Sequence, residues 1–177
     1  MPDELAVILP AAGRSTRFGA GRDKLLENLG GSAVIARAVG AFLSRTDVGL
    51  IVLPTNQKDR IEGALSTDAR VHFCAGGASR AESVLSALRK VPAHFEWVAI
   101  HDAARPLVSP ELIDRTFAAA RKHGAAVPAL PITLTVKQAH GPLPARAERT
   151  IPRHTLWAMQ TPQIMRRADL LAAYESC

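Results

Sequence analysis

Leu5-Ala6-Val7-Ile8-Leu9-Pro10-Ala11-Ala12-Gly13-Arg14-Ser15-Thr16-Arg17-Phe18-Gly19 is an apolar run that breaks into small residues and then into cations. Residues 5–9 read as a buried strand. The small residues behind them let backbone N–H groups approach a polyanion closely. Arg14, Arg17, Arg22 and Lys24 add full positive charge beside those amides. The spacing fits neither GxxxxGKS/T nor GxGxxG, which disfavours a P-loop kinase or a dinucleotide-binding dehydrogenase. A nucleotide site of another design remains.

Beyond this stretch, short apolar runs alternate with longer amphipathic segments, the βαβ signature of a mainly parallel sheet covered on both faces. Strands are expected at residues 5–9, 49–53, 70–74, 97–101 and 125–129. A helix over residues 33–43 puts Val34, Ile35, Ala38, Val39, Phe42 and Leu43 on one stripe, and one over 79–88 does the same with Val84, Leu85 and Leu88. Ser109 and Pro110 start another helix, and Gly124 stops it after His123. A further helix is expected over 167–174. Right-handed crossovers bring the C-terminal strand ends to one edge, where open α/β sheets bind ligands. Residues 132–155, with prolines at 142, 144 and 152, break the alternation; a protruding β-hairpin and an ordinary surface loop both fit.

With 177 residues, 47% hydrophobic and 21% charged, one core and one domain are expected. The net charge of +6 would suit nucleic acid, but the basic residues are scattered singly and aromatics are only 5%, so a small phosphorylated partner accounts for them as well. No apolar run approaches the ~20 residues of a bilayer span. Asp3 and Glu4 before a short strand do not resemble a signal peptide, and a cytoplasmic setting is expected. Cys74 and Cys177 lack metal-ligand spacing and read as structural.

Two more constellations carry chemistry. In Trp97-Val98-Ala99-Ile100-His101-Asp102-Ala103-Ala104-Arg105-Pro106 an apolar strand delivers a carboxylate to its C-terminal end, followed by a guanidinium. An acid there suits Mg²⁺, and Arg105 suits a second phosphate, unless the two simply pair with each other. In Gly76-Gly77-Ala78-Ser79-Arg80-Ala81-Glu82-Ser83 a double glycine runs into a helix start. Its amides and hydroxyls suit a base or an anion, while a left-handed turn followed by an N-cap, with Arg80 and Glu82 solvated, is the plainer reading. Trp157 reads as core, Thr161-Pro162 as a turn and His101 as locally bonded. No histidine spacing supports zinc hydrolase or triad chemistry.

Taken together, Pro10-Ala11-Ala12-Gly13 with Arg17 and Lys24, Gly76-Gly77 with Arg80 and Ser83, His101-Asp102-Ala103-Ala104-Arg105-Pro106, and Leu156-Trp157 with Thr161-Pro162-Gln163 resemble the 2-C-methyl-D-erythritol 4-phosphate cytidylyltransferase family of the non-mevalonate isoprenoid pathway. The order and approximate spacing match over nearly the whole chain. The resemblance implies a Rossmann-like three-layer sandwich with residues 132–155 as a β-arm that reaches across a homodimer. It implies transfer of CMP from CTP to methylerythritol phosphate, with release of pyrophosphate and with Mg²⁺ as cofactor. Arg17 and Lys24 are then catalytic. Pro10, Ala11, Ala12, Gly13, Gly77, Ser83, Asp102 and Ala103 hold the nucleotide, Asp102 also sits by the metal, and Asp102, Arg105, Arg153 and Thr161 hold the alcohol phosphate. Neither nucleic acid nor a membrane is implied as a partner.

The chain departs from the family pattern in places. Ala78 and Leu134 stand where acids are usual, and the family pattern continues past Cys177 through a Thr-Asp-Glu block and a phosphate-contacting lysine, so that this C-terminal portion is missing from the 177 residues and reduced turnover is expected of them alone. Three rivals share features with this reading: a ribitol-phosphate cytidylyltransferase, a molybdopterin-type guanylyltransferase, which is not expected to carry the His101–Pro106 block, and a nucleotide-binding remnant without turnover.

Overall fold

Burial at every position of two strands, and at all but Gly49 of a third, explains why their sequences run apolar without alternation. In a computed structural model, which describes residues 5–13, 22–142 and 144–176, β1 (Leu5–Ile8) is buried at every position, as is β6 (Trp97–Ile100). β2 (Asn28–Leu29) and β3 (Ser32–Ala33) form a small hairpin before α1 (Val34–Leu43). β4 (Val48–Pro54), α2 (Lys58–Glu62), β5 (Val71–Cys74) and α3 (Arg80–Leu88) follow before β6. β1 pairs in parallel with β4 and β6, and β4 with β5.

Both faces of this sheet are covered. Leu5, Val7, Ile51, Leu53, Trp97 and Ala99 pack with Ile35 and Phe42 of α1 and with Ile113 and Phe117 of α4 (Pro110–His123). The intervening Ala6, Ile8, Leu50, Val52, Val98 and Ile100 pack with Val84 and Leu88 of α3 and with Leu170 of α5 (Arg167–Glu175). One period-2 pattern thus feeds two helical layers, the expected three-layer sandwich. The helix signals act as read: the Ser109 hydroxyl accepts from Leu112 N at 3.3 Å, Ser79 accepts from Glu82 N at 3.1 Å, and Gly124 ends α4 with a φ of 85°.

Three expectations are corrected. The strand at 125–129 divides into β7 (Ala125–Ala126), in the main sheet, and β8 (Ala129–Pro131), outside it. Pro128 between them has no N–H for a ladder, and its carbonyl instead accepts from Gln160 N at 2.8 Å. A strand not foreseen, β12 (Gln163–Arg166), runs antiparallel between β6 and β7 and completes the order β5-β4-β1-β6-β12-β7. Trp157, expected in the core, is 56% exposed. It lies on β11 (Trp157–Met159), which pairs with β8 in a two-stranded ribbon apart from the main sheet.

Within residues 132–155 the chain forms an antiparallel hairpin of β9 (Val136–Ala139) and β10 (Ala147–Ile151). The β8–β11 ribbon makes its base, closed by Ile132 N donating to Leu156 O at 3.2 Å. The Thr161–Pro162 bond that leads into β12 is cis. Among the described residues no helix is long and apolar enough to cross a membrane.

Candidate active site

The C-terminal strand ends meet at one edge of the sheet, and backbone bonds set the loops there. Leu9 N and Ala11 N donate to Val52 O and Pro54 O, each at 3.0 Å, so the segment after β1 runs on beside β4 before turning. Gly76 lies against it: a Cβ on Gly76 would stand 2.2 Å from the Cβ of Ala12. Neither Gly76 nor Gly77 has a positive φ, so the left-handed turn expected here is not formed. The missing side chains serve close approach instead.

Residues 10–13, 77–80 and 102–105, with Ser83 and Lys24, line a cleft of about 610 Å³. Ser83 is buried, and its hydroxyl accepts from Gly77 N at 3.0 Å and donates to Ser79 O at 2.9 Å. Glu82, expected in solvent, accepts from Ala78 N at 2.9 Å. Both side chains therefore brace the glycine turn against the start of α3. Lys24 is exposed and makes no hydrogen bond or ion pair among the described residues, so its ammonium is available to an anion.

Asp102 joins two walls. Its carboxylate accepts from Arg80 Nη2 at 3.0 Å and from Arg105 Nε at 2.9 Å. The pairing of Asp102 with Arg105, one of the two readings open from sequence, is thus realised, with Arg80 added to it. Burial opposes the charge, but the two guanidiniums outweigh it and hold the carboxyl below its ordinary range. Arg105 also reaches the side-chain oxygen of Gln160. Beyond Arg105 and Thr161 opens a second, mainly apolar groove of about 720 Å³, walled by Val108, Leu112, Ala126 and Leu130 among others.

His101 is fully buried beneath the 102–105 turn. Its Nε2 lies 3.0 Å from Arg105 O and its Nδ1 2.9 Å from the Thr161 hydroxyl, while Asp102 N donates to the same hydroxyl at 3.4 Å. The ring meets Phe42 edge-on at 5.2 Å, and burial keeps its basicity below the usual histidine value. The local bonding expected of His101 is found.

Several expected site residues lie elsewhere. Arg14 and Arg17 fall outside the described residues. Arg22 pairs with Glu27 at 2.7 Å and does not line the cleft. Arg153, in a 3₁₀ turn (Arg153–Thr155) at the arm's base, donates to Thr133 O and is absent from the cleft wall. Cys74 is half-buried beside Ser86 with its thiol pushed up by burial, as a structural cysteine should be. Among the described residues no cluster of three or more His, Cys, Asp or Glu could hold a metal, and Asp102 is the one carboxylate on the cleft wall. An ionised, half-buried carboxylate on the wall of a cleft still fits Mg²⁺, a cation that takes one or two protein oxygens and the rest from bound phosphates and water. Sequence reasoning missed Arg80 and Gln160 as partners; Arg80 stands inside a quoted motif and Gln160 directly before Thr161, but only the fold shows that they reach Asp102 and Arg105.

The model of the family "IspD: 2-C-methyl-D-erythritol 4-phosphate cytidylyltransferase" matches residues 5–177. The chain is 43% identical over 173 residues to the 2-C-methyl-D-erythritol 4-phosphate cytidylyltransferase of Frankia casuarinae, covering 96% of this chain and 64% of that protein. It is 35% identical over 175 residues to the bifunctional enzyme IspD/IspF of Desulfotalea psychrophila, covering 96% and 44%. The chain thus spans less than two thirds of the length of either relative. The crystal structure of the Francisella tularensis 2-C-methyl-D-erythritol 4-phosphate cytidylyltransferase is similar with a TM-score of 0.83 and 27% identity, covering 99% of this chain and 78% of that one. A small-residue segment after β1, a carboxylate just past the end of β6 and a family match over the same span agree: the chain belongs to the 2-C-methyl-D-erythritol 4-phosphate cytidylyltransferase family.

Proposed function

We propose that this protein transfers CMP from CTP to 2-C-methyl-D-erythritol 4-phosphate, giving CDP-methylerythritol and pyrophosphate. The observation that carries the reading is the meeting of a small-residue backbone loop, Lys24 and the Arg80–Asp102–Arg105 cluster in one cleft, on a chain of this family. An oxygen of the alcohol phosphate forms the new bond to the α-phosphorus, and pyrophosphate departs with the electrons of the bond that breaks. The nucleophile is already an anion, so the protein's work is positioning and charge neutralisation, not proton removal.

Residues 10–13 receive the triphosphate and Ala103 lies against the nucleotide. Lys24, together with Arg17, counters charge on the phosphorus and on the leaving pyrophosphate. Gly77 leaves room for the cytosine, and Ser83 acts by holding that turn in shape. Arg105 and Thr161 bind the alcohol phosphate, with Arg153 contributed by a second subunit. Asp102 is the residue to hold Mg²⁺, which when bound offsets the repulsion between two polyanions.

Exposed Leu130, Leu134, Trp157 and Met159 at the arm and its base support a homodimer formed there. Charged, water-soluble substrates fit a cytoplasmic reaction, and the relatives' names favour methylerythritol phosphate over ribitol phosphate. Purified protein incubated with CTP, Mg²⁺ and each alcohol phosphate tests the reading by pyrophosphate release. Release only with methylerythritol phosphate is expected; no release with either, or release only with ribitol phosphate, refutes it.

A further inference from the structure

The most deeply buried polar side chain beside the cleft is not itself in contact with it. We propose that His101 is a positioning residue for the transfer, its neutral ring carrying the proton on Nε2 and fixing the Asp102 and Arg105 ends of one turn through a single chain of hydrogen bonds; this rests on the reading in which Arg105 holds the alcohol phosphate.

Hydrogen-bond logic assigns the Nε2 end of the ring. The carbonyl oxygen of Arg105 can only accept, so the Nε2 that lies 3.0 Å from it carries the hydrogen. In a neutral ring Nδ1 is then an acceptor, and the Thr161 hydroxyl at 2.9 Å donates to it. That direction leaves the Thr161 oxygen a lone pair for Asp102 N, which donates to it at 3.4 Å. The chain therefore runs from Asp102 N through Thr161 and His101 to Arg105 O. It bridges from inside the turn that Arg105 N closes by donating to Asp102 O at 2.9 Å.

What the ring fixes is the chemistry-bearing part of the molecule. Asp102 and Arg105 are the acid and the base on that wall of the cleft, and Thr161 comes from the distant loop before β12. An apolar residue could fill the space against Phe42 equally well, so packing alone does not call for an imidazole. With it the fully buried ring has both nitrogens bonded, and no buried side-chain polar atom among the described residues is left without a partner. A leucine there would leave the Arg105 carbonyl and the Thr161 hydroxyl without these partners. The turn would keep its direct Arg105–Asp102 bonds but lose its brace to the Thr161 loop, and a misplacement of about 1 Å costs on the order of 10²-fold in rate.

The test combines a spectrum of the unsubstituted protein with two variants. Nitrogen-15 to proton correlation of the histidine rings at neutral pH is expected to show His101 with its proton on Nε2 and a bare Nδ1; a proton on Nδ1, or on both nitrogens, overturns the proposal. His101→Leu is expected to lower kcat/KM for methylerythritol phosphate by about 10²-fold, with a clearly smaller loss in the calorimetric Kd for CTP without metal. His101→Gln, whose amide can still donate towards Arg105 O, should recover part of the loss. A folded His101→Leu with unchanged kcat/KM, an equal loss for CTP and the alcohol phosphate, or no recovery in His101→Gln overturns it. Should His101→Leu fail to fold, a His101→Gln protein with the parent's kinetics in every respect also overturns it. Absence of pyrophosphate release by the unsubstituted protein counts against the transfer reading and the proposal resting on it, whereas release that is indifferent to His101 counts against the proposal alone.

Discussion

Gly77→Ala probes the point where the cleft wall touches the first turn of α3. The new Cβ would stand 2.3 Å from Glu82 Cβ, 2.9 Å from the Glu82 carbonyl carbon and 3.0 Å from Ser83 N. Two of these atoms belong to helix backbone, so no rotamer change relieves the contact. One escape is strain in the helix start, worth about 1–3 kcal/mol for overpacking of this kind. The other is retreat of the turn, which breaks Gly77 N to Ser83 and Ala78 N to Glu82 at about 1 kcal/mol each. The two routes are alternatives and cost much the same, so a loss of about 2 kcal/mol in stability is expected. Retreat also moves a wall of the cleft, so CTP affinity should fall as well. Urea unfolding, with a check that the slope is unchanged, measures the first effect, and calorimetric titration with CTP the second. Stability within about 0.5 kcal/mol of the parent, the ordinary range for a neutral surface change, together with unaltered CTP affinity, would refute the close-approach argument.

Lys24→Ala should lose mainly kcat, by about 3 kcal/mol of transition-state stabilisation or more; steady-state kinetics in which only KM changes would limit Lys24 to binding. Asp102→Asn should weaken the Mg²⁺ dependence of turnover and leave the fold intact, and an unchanged metal titration would remove Asp102 from that role. Asp102 also titrates lower in the folded chain than in the unfolded one, so its contribution to stability is present above the unfolded value of about 4 and is lost as the pH falls through the folded value. Acid titration of unfolding free energy should therefore be shallower below that pH in Asp102→Asn, and identical slopes would contradict the Arg80 and Arg105 pairing. Arg70→Met removes donors to Leu43 O, Arg45 O and Val48 O at the opposite end of the sheet; a loss of about 2–3 kcal/mol in unfolding free energy with unchanged CTP binding is expected, and a change in CTP binding would argue that the two ends communicate. Trp157→Asp should shift sedimentation from dimer to monomer without lowering the monomer's stability, and an unaltered distribution would place any dimer contact elsewhere.

The three-layer sandwich was legible because β1, β4 and β6 are apolar at every position, a pattern that only two-sided burial requires. The helix ends were legible for an equally local reason, since Ser79, Ser109 and Gly124 act within a few residues of themselves. β12 was not. Gln163-Ile164-Met165-Arg166 has one fully buried residue, and its strand character comes from neighbours more than 35 residues away. Trp157 misled because size and apolarity do not tell a core position from the edge of a ribbon. At the site, residues 10–13, 77–80 with Ser83, and 102–105, one part of each quoted motif, line one cleft together with Lys24. Of the partners of Asp102, Arg105 was open from sequence because it lies three residues on in the same turn; Arg80 was not, because it reaches Asp102 from the start of α3, 22 residues earlier. Arg22, read only as added charge beside the loop, pairs with Glu27 five residues on, a contact that charge alone does not reveal.

The antiparallel course of β12 has a geometric corollary. Parallel strands bring functional side chains to the reactive rim where they finish, but a strand of opposite sense meets that rim where it begins. Gln160 and Thr161 therefore arrive beside Asp102 and Arg105 ahead of their strand. A single reversal lets chain from beyond the arm reach the rim first and only then run back along the sheet into α5, which packs on the face that α3 covers.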